Sequence, residues 1–304
     1  MTIAESVARA RQRLVAGGVP PDEAPGDAEV LARHALGWDL TRYAIERKEA
    51  APPAFADRYE ALIARRLTRE PVSQIVGHRE FWGLDFEVTR DVLTPRPETE
   101  LAVQAVLDAY KNPAPFYGRP PIIVDIGTGS GCIAVAVATE LRDAMLIASD
   151  ASLPALTVAR RNAARHGVAS RIAFMHSALI PPENDVDIVV SNPPYIPRGQ
   201  RESLPPEVRD YEPVQALFGG EDGLDMYRLL FQELPGDLRQ GGCLVVEVGY
   251  DQSSAVAALA DPSMWALERT YRDLQDIERV LTFRLLRDGW HHEEIDDDGM
   301  DDDQ

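Results

Sequence analysis

The chain has 304 residues, 45% of them hydrophobic, and 50 acidic against 31 basic side chains give a net charge of −19. That length holds one large domain with a small companion, and the apolar fraction is enough for a proper core. The acidic balance argues against tracking phosphate backbones, which takes clustered Lys and Arg, and no stretch is apolar for long enough to cross a bilayer or serve as a signal peptide.

A soluble, cytoplasmic chain is therefore expected. Cys132 and Cys243 sit in apolar surroundings without metal-ligand spacing, so they read as small buried hydrophobes and no metal site is expected.

In chain order, residues 1–75 read as a small helical recognition domain. Ile3, Val7, Ala10 and Leu14 keep helical spacing until Gly17 and Gly18. Asp27 is placed to cap a second helix through Val30, Leu31 and Leu36, and a third runs from Pro53 to Arg66. No titratable cluster stands out among them. Residues 76–100 read as a hairpin and linker. Phe81, Trp82, Leu84, Phe86 and Val88 suggest two short strands, and the prolines of Thr94-Pro95-Arg96-Pro97-Glu98-Thr99-Glu100 stiffen the chain before a helix beginning near Glu98.

Residues 101–290 alternate strands and helices. Strands are expected at 122–126, 146–149, 172–175, 187–191, 243–248, 266–271 and 279–285, with helices at 133–141 and 153–166. Such alternation predicts an α/β fold with a mostly parallel, Rossmann-like sheet, and at least one of the last two strands antiparallel. The acidic run from Glu293 to Asp303 ends the chain as a solvated, disordered tail over 291–304.

Two motifs carry chemistry. Asp125-Ile126-Gly127-Thr128-Gly129-Ser130-Gly131 lies where a strand hands over to a helix, and Asp150 follows at the end of the next strand. Glycines there bring a ligand close to the backbone, and an acid at that strand end accepts ribose hydroxyls. Gly129-Ser130-Gly131-Cys132-Ile133-Ala134 also satisfies a dinucleotide fingerprint, so a nicotinamide dehydrogenase is a competitor at this point. Asp125 tips the balance, since a carboxylate suits a sulfonium or ammonium and repels a pyrophosphate.

The second motif is Asn192-Pro193-Pro194-Tyr195, reached directly from the strand at 187–191. Two prolines remove backbone donors and stiffen the turn, and Asn192 adds a side-chain carbonyl. Together they offer acceptors to the two hydrogens of a planar NH2 group, with Tyr195 stacked on it.

With these motifs, the chain resembles the release-factor glutamine N5-methyltransferases, the PrmC/HemK family. The likeness extends through Asp27–Leu31, Glu70–Val72, Gly77–Trp82, Pro95–Glu100, Glu212-Pro213, Gly219–Leu224, Arg272–Leu274 and Arg279-Val280. It implies a class I methyltransferase fold, S-adenosylmethionine as donor, and methylation of the glutamine in the Gly-Gly-Gln loop of class 1 release factors, docked in part by the helical domain. Gly127 to Gly131 would line the methionine end, Asp150 the ribose, and Asn192 to Tyr195 the glutamine, with Asn192 also beside the cofactor. After the strand at 172–175 the family has an acid and then an aromatic residue near the adenine. Here Ala178 and Leu179 replace them, leaving Leu179 to sandwich the ring and Asn184 or a backbone carbonyl to take its amino group. The alternatives are a ribosomal-protein glutamine and, since Asn-Pro-Pro-Tyr is shared with them, the adenine-N6 DNA methyltransferases.

Overall fold

The computed structural model describes residues 1–111, 119–178 and 186–286; the acidic run at 293–303 lies outside them. Five helices open the chain: α1 (Ile3–Ala16), α2 (Ala24–Leu36), α3 (Leu40–Glu46), α4 (Phe55–Leu67) and α5 (Val72–Val76). A capping box starts α1, where the Thr2 hydroxyl accepts from the Glu5 N–H and the Glu5 carboxylate from the Thr2 N–H. Ile3, Leu14, Leu31, Phe55, Tyr59 and Ile63 close a core of their own.

Two expectations for this region are corrected. Asp27 does not cap α2, which begins at Ala24 with Pro25 in its first turn, where the missing proline N–H costs nothing. The Asp27 carboxylate instead accepts from Arg66 Nε at 2.7 Å. Nor is the region without a titratable cluster. Arg66, with its side chain 2% exposed, lies between Asp27, Glu23 at 3.4 Å and Glu207 at 2.7 Å, and Arg69 grips the same Glu207. Glu207 belongs to the far part of the chain, so local spacing could not reveal the cluster.

Strands β1 (His78–Phe81) and β2 (Leu84–Glu87) form the expected hairpin, turning at Trp82 and Gly83 with φ of 54° and 69°. Positive φ at both central positions matches the strands' twist. Phe81 and Phe86 are buried in the main core. A short 3₁₀ turn (Pro97–Thr99) then leads into α6 (Glu100–Lys111), two residues beyond the expected start at Glu98.

The main sheet comprises β3 (Ile122–Ile126), β4 (Met145–Asp150), β5 (Ile172–His176), β6 (Val186–Ser191), β7 (Leu238–Glu247), β8 (Trp265–Arg272) and β9 (Glu278–Leu285). Between them run α7 (Cys132–Glu140), α8 (Leu153–Arg165), α9 (Pro206–Arg209), α10 (Asp225–Asp237) and α11 (Ser253–Ala257). The strand order is β5-β4-β3-β6-β7-β9-β8. All neighbours are parallel except β9, antiparallel to both β7 and β8, as the short connection between the last strands required.

Alternate residues of the buried strands face opposite sides. Ile123, Ala148, Val190 and Val245 meet α6, α7 and the hairpin; Val124, Ile147, Val189 and Leu244 meet Tyr227, Leu230 and Leu234 of α10. Helix α7 is buried from Cys132 to Ala138, which is why its sequence is apolar on every side.

Removing Arg66 leaves Asp27 without its ion-pair partner and Glu207 held by Arg69 alone. Arg66→Ala is expected to cost about 3 kcal/mol in chemical denaturation. A loss under about 1 kcal/mol would show that solvent replaces the arginine.

Candidate active site

The chain order reverses at β3: β4 and β5 extend the sheet to one side, β6 and β7 to the other. At such a switch point the connections leave the sheet on opposite faces and open a crevice at the carboxyl edge. Ile126 stands opposite both Ser149 and Ser191, so β4, β3 and β6 end level. Asp150, the glycine loop and Asn192 therefore emerge side by side, on strands about 5 Å apart. Ser191 Oγ fixes the junction by donating to the Ile126 carbonyl at 2.8 Å.

The glycine loop is braced from within. Gly127 and Thr128 N–H both donate to the Ser149 carbonyl, Gly131 N–H to the Thr128 carbonyl, and Gly129 N–H to Asp150 Oδ2 at 2.9 Å. With these N–H groups engaged, the loop has few donors left for a pyrophosphate. Thr128 and Ser130 are buried, so the loop faces the crevice mainly with backbone. Gly131 has a packing reason: a Cβ there would lie 3.0 Å from Ala159 Cβ of α8, whereas one on Gly127 would meet nothing within 4 Å.

Asp125 is 1% exposed. Its Oδ2 accepts from Thr128 Oγ1 at 2.6 Å and from the Ala134 N–H at 3.2 Å, and its Oδ1 has no partner among the described residues. Burial pushes this carboxyl up to about 7, with Asp150 adding to the effect. Asp150 Oδ1 accepts from the Ser152 N–H at 2.8 Å, which fixes the carboxylate and leaves lone pairs on its outer side. A cation and a ribose fit these two acids. Leu179 and Asn184 lie outside the described residues.

At the proline turn the carbonyls differ in availability. Tyr195 O accepts from Gln252 Nε2 at 2.9 Å, and Pro194 O lies against Gly219. Among the described residues no N–H donates to the Pro193 carbonyl or to Asn192 Oδ1. The Asn192 amide turns its Nδ2 to Thr99 Oγ1 at 3.2 Å. Tyr195 is half-buried against the core beside α10, and burial, then the nearby Glu247, pushes its phenol up to about 12. A cavity of about 170 Å3 lined by Leu93, Arg96, Asn192, Tyr195, Leu204 and Leu217 adjoins the turn.

Residues 5–77 match the PrmC N-terminal domain and residues 115–204 the methyltransferase small domain. A release factor glutamine methyltransferase of Cereibacter sphaeroides is 43% identical over 288 residues, covering 94% of this chain and 99% of that protein. Its counterpart in Geobacter sulfurreducens is 40% identical over 85% of this chain and 89% of its own length. The chain belongs to the release factor glutamine methyltransferase family. The catalytic domain of hMettl16, solved in complex with a 3'UTR hairpin, superposes with a TM-score of 0.54 at 14% identity, over 75% of this chain and 83% of that one, which shows the shared class I methyltransferase fold.

In this family member several residues that shape the site carried no signal of their own in the sequence. Thr99 and Gln252 hold the proline turn by its side chain and its backbone. Gly219 and Gly223, noticed only as part of a matching segment, pack so tightly that a methyl group on either would overlap the Pro194 or the Tyr195 carbonyl oxygen. Arg96 reaches both oxygens of Glu212 at 2.8 and 2.7 Å, tying the segment before α6 to the chain that follows the turn.

Gly223 combines that close approach with a φ of +80°. Gly223→Ala is expected to lower stability by about 2 kcal/mol or more, through a clash and a conformation L residues avoid. Thermal melting checks this, and an unchanged melting temperature would mean the turn yields easily.

Proposed function

We propose that the protein transfers a methyl group from S-adenosylmethionine to the side-chain amide nitrogen of the glutamine in the Gly-Gly-Gln motif of class 1 release factors. The observation that carries this reading is the pair of acceptors left open at the turn, Asn192 Oδ1 and the Pro193 carbonyl, level with the glycine loop. Two acceptors match the two hydrogens of a planar NH2 group. An amide nitrogen is a poor nucleophile because its lone pair is delocalised. Holding both hydrogens orients the nitrogen and stabilises the positive charge that grows on it during attack, so positioning and fixed dipoles supply the rate. Tyr195 excludes water from the flat group, and the cavity beside Leu93 and Leu217 admits the side chain that carries it.

When bound, S-adenosylmethionine supplies an electrophilic methyl group on a sulfonium. Asp150 would accept its ribose hydroxyls, and the backbone of Gly127 to Gly131 would line its methionine end. Asp125 would favour the cation from beneath the loop. We assign residues 1–75 to recognition of the release factor and residues 101–290 to catalysis, joined by the hairpin and linker at 76–100.

Peptide mass spectrometry of an unmodified release factor incubated with protein and S-adenosylmethionine should find one added methyl group on the Gly-Gly-Gln glutamine. A methyl group found only on a ribosomal protein or on DNA would sink this reading. Asn192→Ala should lower turnover by about a hundredfold or more while calorimetry finds cofactor affinity within about twofold of the original. Asp150→Ala should do the reverse and weaken cofactor binding.

Cofactor affinity should also depend on pH. A carboxyl raised to about 7 is mostly neutral below that pH and ionised above it, and only the ionised form favours a cation. Affinity is therefore expected to fall by up to about tenfold per unit as the pH drops below 7. Asp125→Asn should flatten the profile, and a flat profile in the unaltered protein would remove Asp125 from cofactor binding.

A further inference from the structure

Behind the proline turn lies a buried polar chain. Thr99 sits at the end of the 3₁₀ turn before α6, with its side chain reaching Asn192 Nδ2, and is 2% exposed. Its hydroxyl lies close enough to the carboxyl of Glu247, the last residue of β7 and itself 3% exposed, to favour that group's ionised form. Strand β7 pairs with β6 so that Val246 stands opposite Ser191, which puts Glu247 directly behind Asn192. Glu247 Oε2 has no hydrogen-bond partner among the described residues. A buried carboxyl with an unused oxygen is costly unless the site needs it.

We propose that Glu247, acting through Thr99, is the positioning residue that holds the Asn192 amide with Oδ1 toward the acceptor nitrogen. The inference rests on the assignment of Asn192 above and deepens it. A side-chain amide is nearly symmetric in shape, so packing alone does not decide which end faces the substrate. The wrong end would present an NH2 donor to the hydrogens of another NH2 group. The ionised Glu247 carboxylate only accepts, so the Thr99 hydroxyl turns its O–H toward it as donor. Thr99 Oγ1 is then left with lone pairs alone, to which only the Asn192 NH2 can bond. A protonated Glu247 could donate to Thr99 Oγ1, free the hydroxyl to donate to Asn192 Oδ1, and so release the amide to turn over.

Burial pushes the Glu247 carboxyl up to about 7, against the lowering influence of the nearby Thr99 hydroxyl. The charged and titratable groups around it are Glu98 and Arg96 before α6, Arg279 of β9, Tyr195 beyond β6, Tyr227 of α10 and Cys132 at the start of α7. The ionised form is the one that orients Asn192, so turnover should be full above pH 7 and decline below it.

The test uses the full chain and two independent readouts. In the first, kcat on an unmodified release factor should fall about tenfold or more in Thr99→Val, with cofactor affinity by calorimetry within about twofold, and recover in Thr99→Ser. Glu247→Gln should lose the pH limb near 7. In the second, the Asn192 side-chain amide resonances, assigned by their loss in Asn192→Ala, should shift with pH through 7 in the unaltered protein and stay fixed in Glu247→Gln. This readout needs neither turnover nor a folded Thr99→Val. Amide signals indifferent to both pH and Glu247→Gln would overturn the relay, as would unchanged kcat in a folded Thr99→Val. A responsive amide in a protein that leaves release factors unmodified would uphold the relay and overturn the substrate assignment instead.

Discussion

Ile126 opposite Ser191 is the register on which the rest of the molecule depends. It brings the loop after β3 and the turn after β6 out of the sheet at one level, and Ser191 Oγ on the Ile126 carbonyl holds them there. A slip of one residue would reverse every side chain of β6 between the two faces, burying the wrong set against α10. Both faces are covered by apolar side chains, so the hydrophobic effect that stabilises the sheet also fixes the distance between the two motifs.

Around that register, the segment Thr94 to Glu100 works as a brace. Thr94 bonds Ser73 of α5, Arg96 bonds Glu212, Thr99 bonds Asn192, and the Glu100 carboxylate takes the N–H of Trp82 in the hairpin turn. Prolines on either side of Arg96 limit the backbone, so little conformational freedom is lost when these contacts form. Asn162 of α8 plays a matching part on the other side: fully buried, it bonds both backbone groups of Glu87 and the carbonyl of Ser130. The hairpin and the glycine loop are thus held by one side chain.

Legibility in the sequence followed how local the cause was. Strand β3 has the expected bounds because an apolar run broken only by Asp125 fills the space between proline and glycine. Strand β7 begins at Leu238, ahead of the expected Cys243, because Gly241 and Gly242 break its pattern and the register against β6 shifts between Val186 and Ile188. The short α3 and α5 had no stripe long enough to find. In the candidate site, the positions of Asp125, Asp150 and the proline turn at or near the carboxyl ends of β3, β4 and β6 were legible because each lies in or directly after a strand with a clear apolar pattern. Thr99, Glu247 and Gln252 were not, since their meaning comes from strands and turns brought together across the chain. The same holds for Arg66 and Glu207, and a helix-cap reading of Asp27 failed because its partner lies on another helix.

The excursion between β6 and α10 is pinned close to its root. Ile196 bridges to Phe218, its N–H donating to the Leu217 carbonyl at 2.9 Å and its carbonyl accepting from Gly219 N–H at 3.0 Å. Residues 197–216 therefore form a loop whose neck is tied, and lengthening such a loop adds only a slowly growing entropy of closure. Insertions and substitutions at its exposed stretch around Gly199 to Glu202 leave the neck where it is. The fold in this way separates a stretch of surface that tolerates changes of length and sequence from the turn at its root, whose backbone stays tied to the sheet.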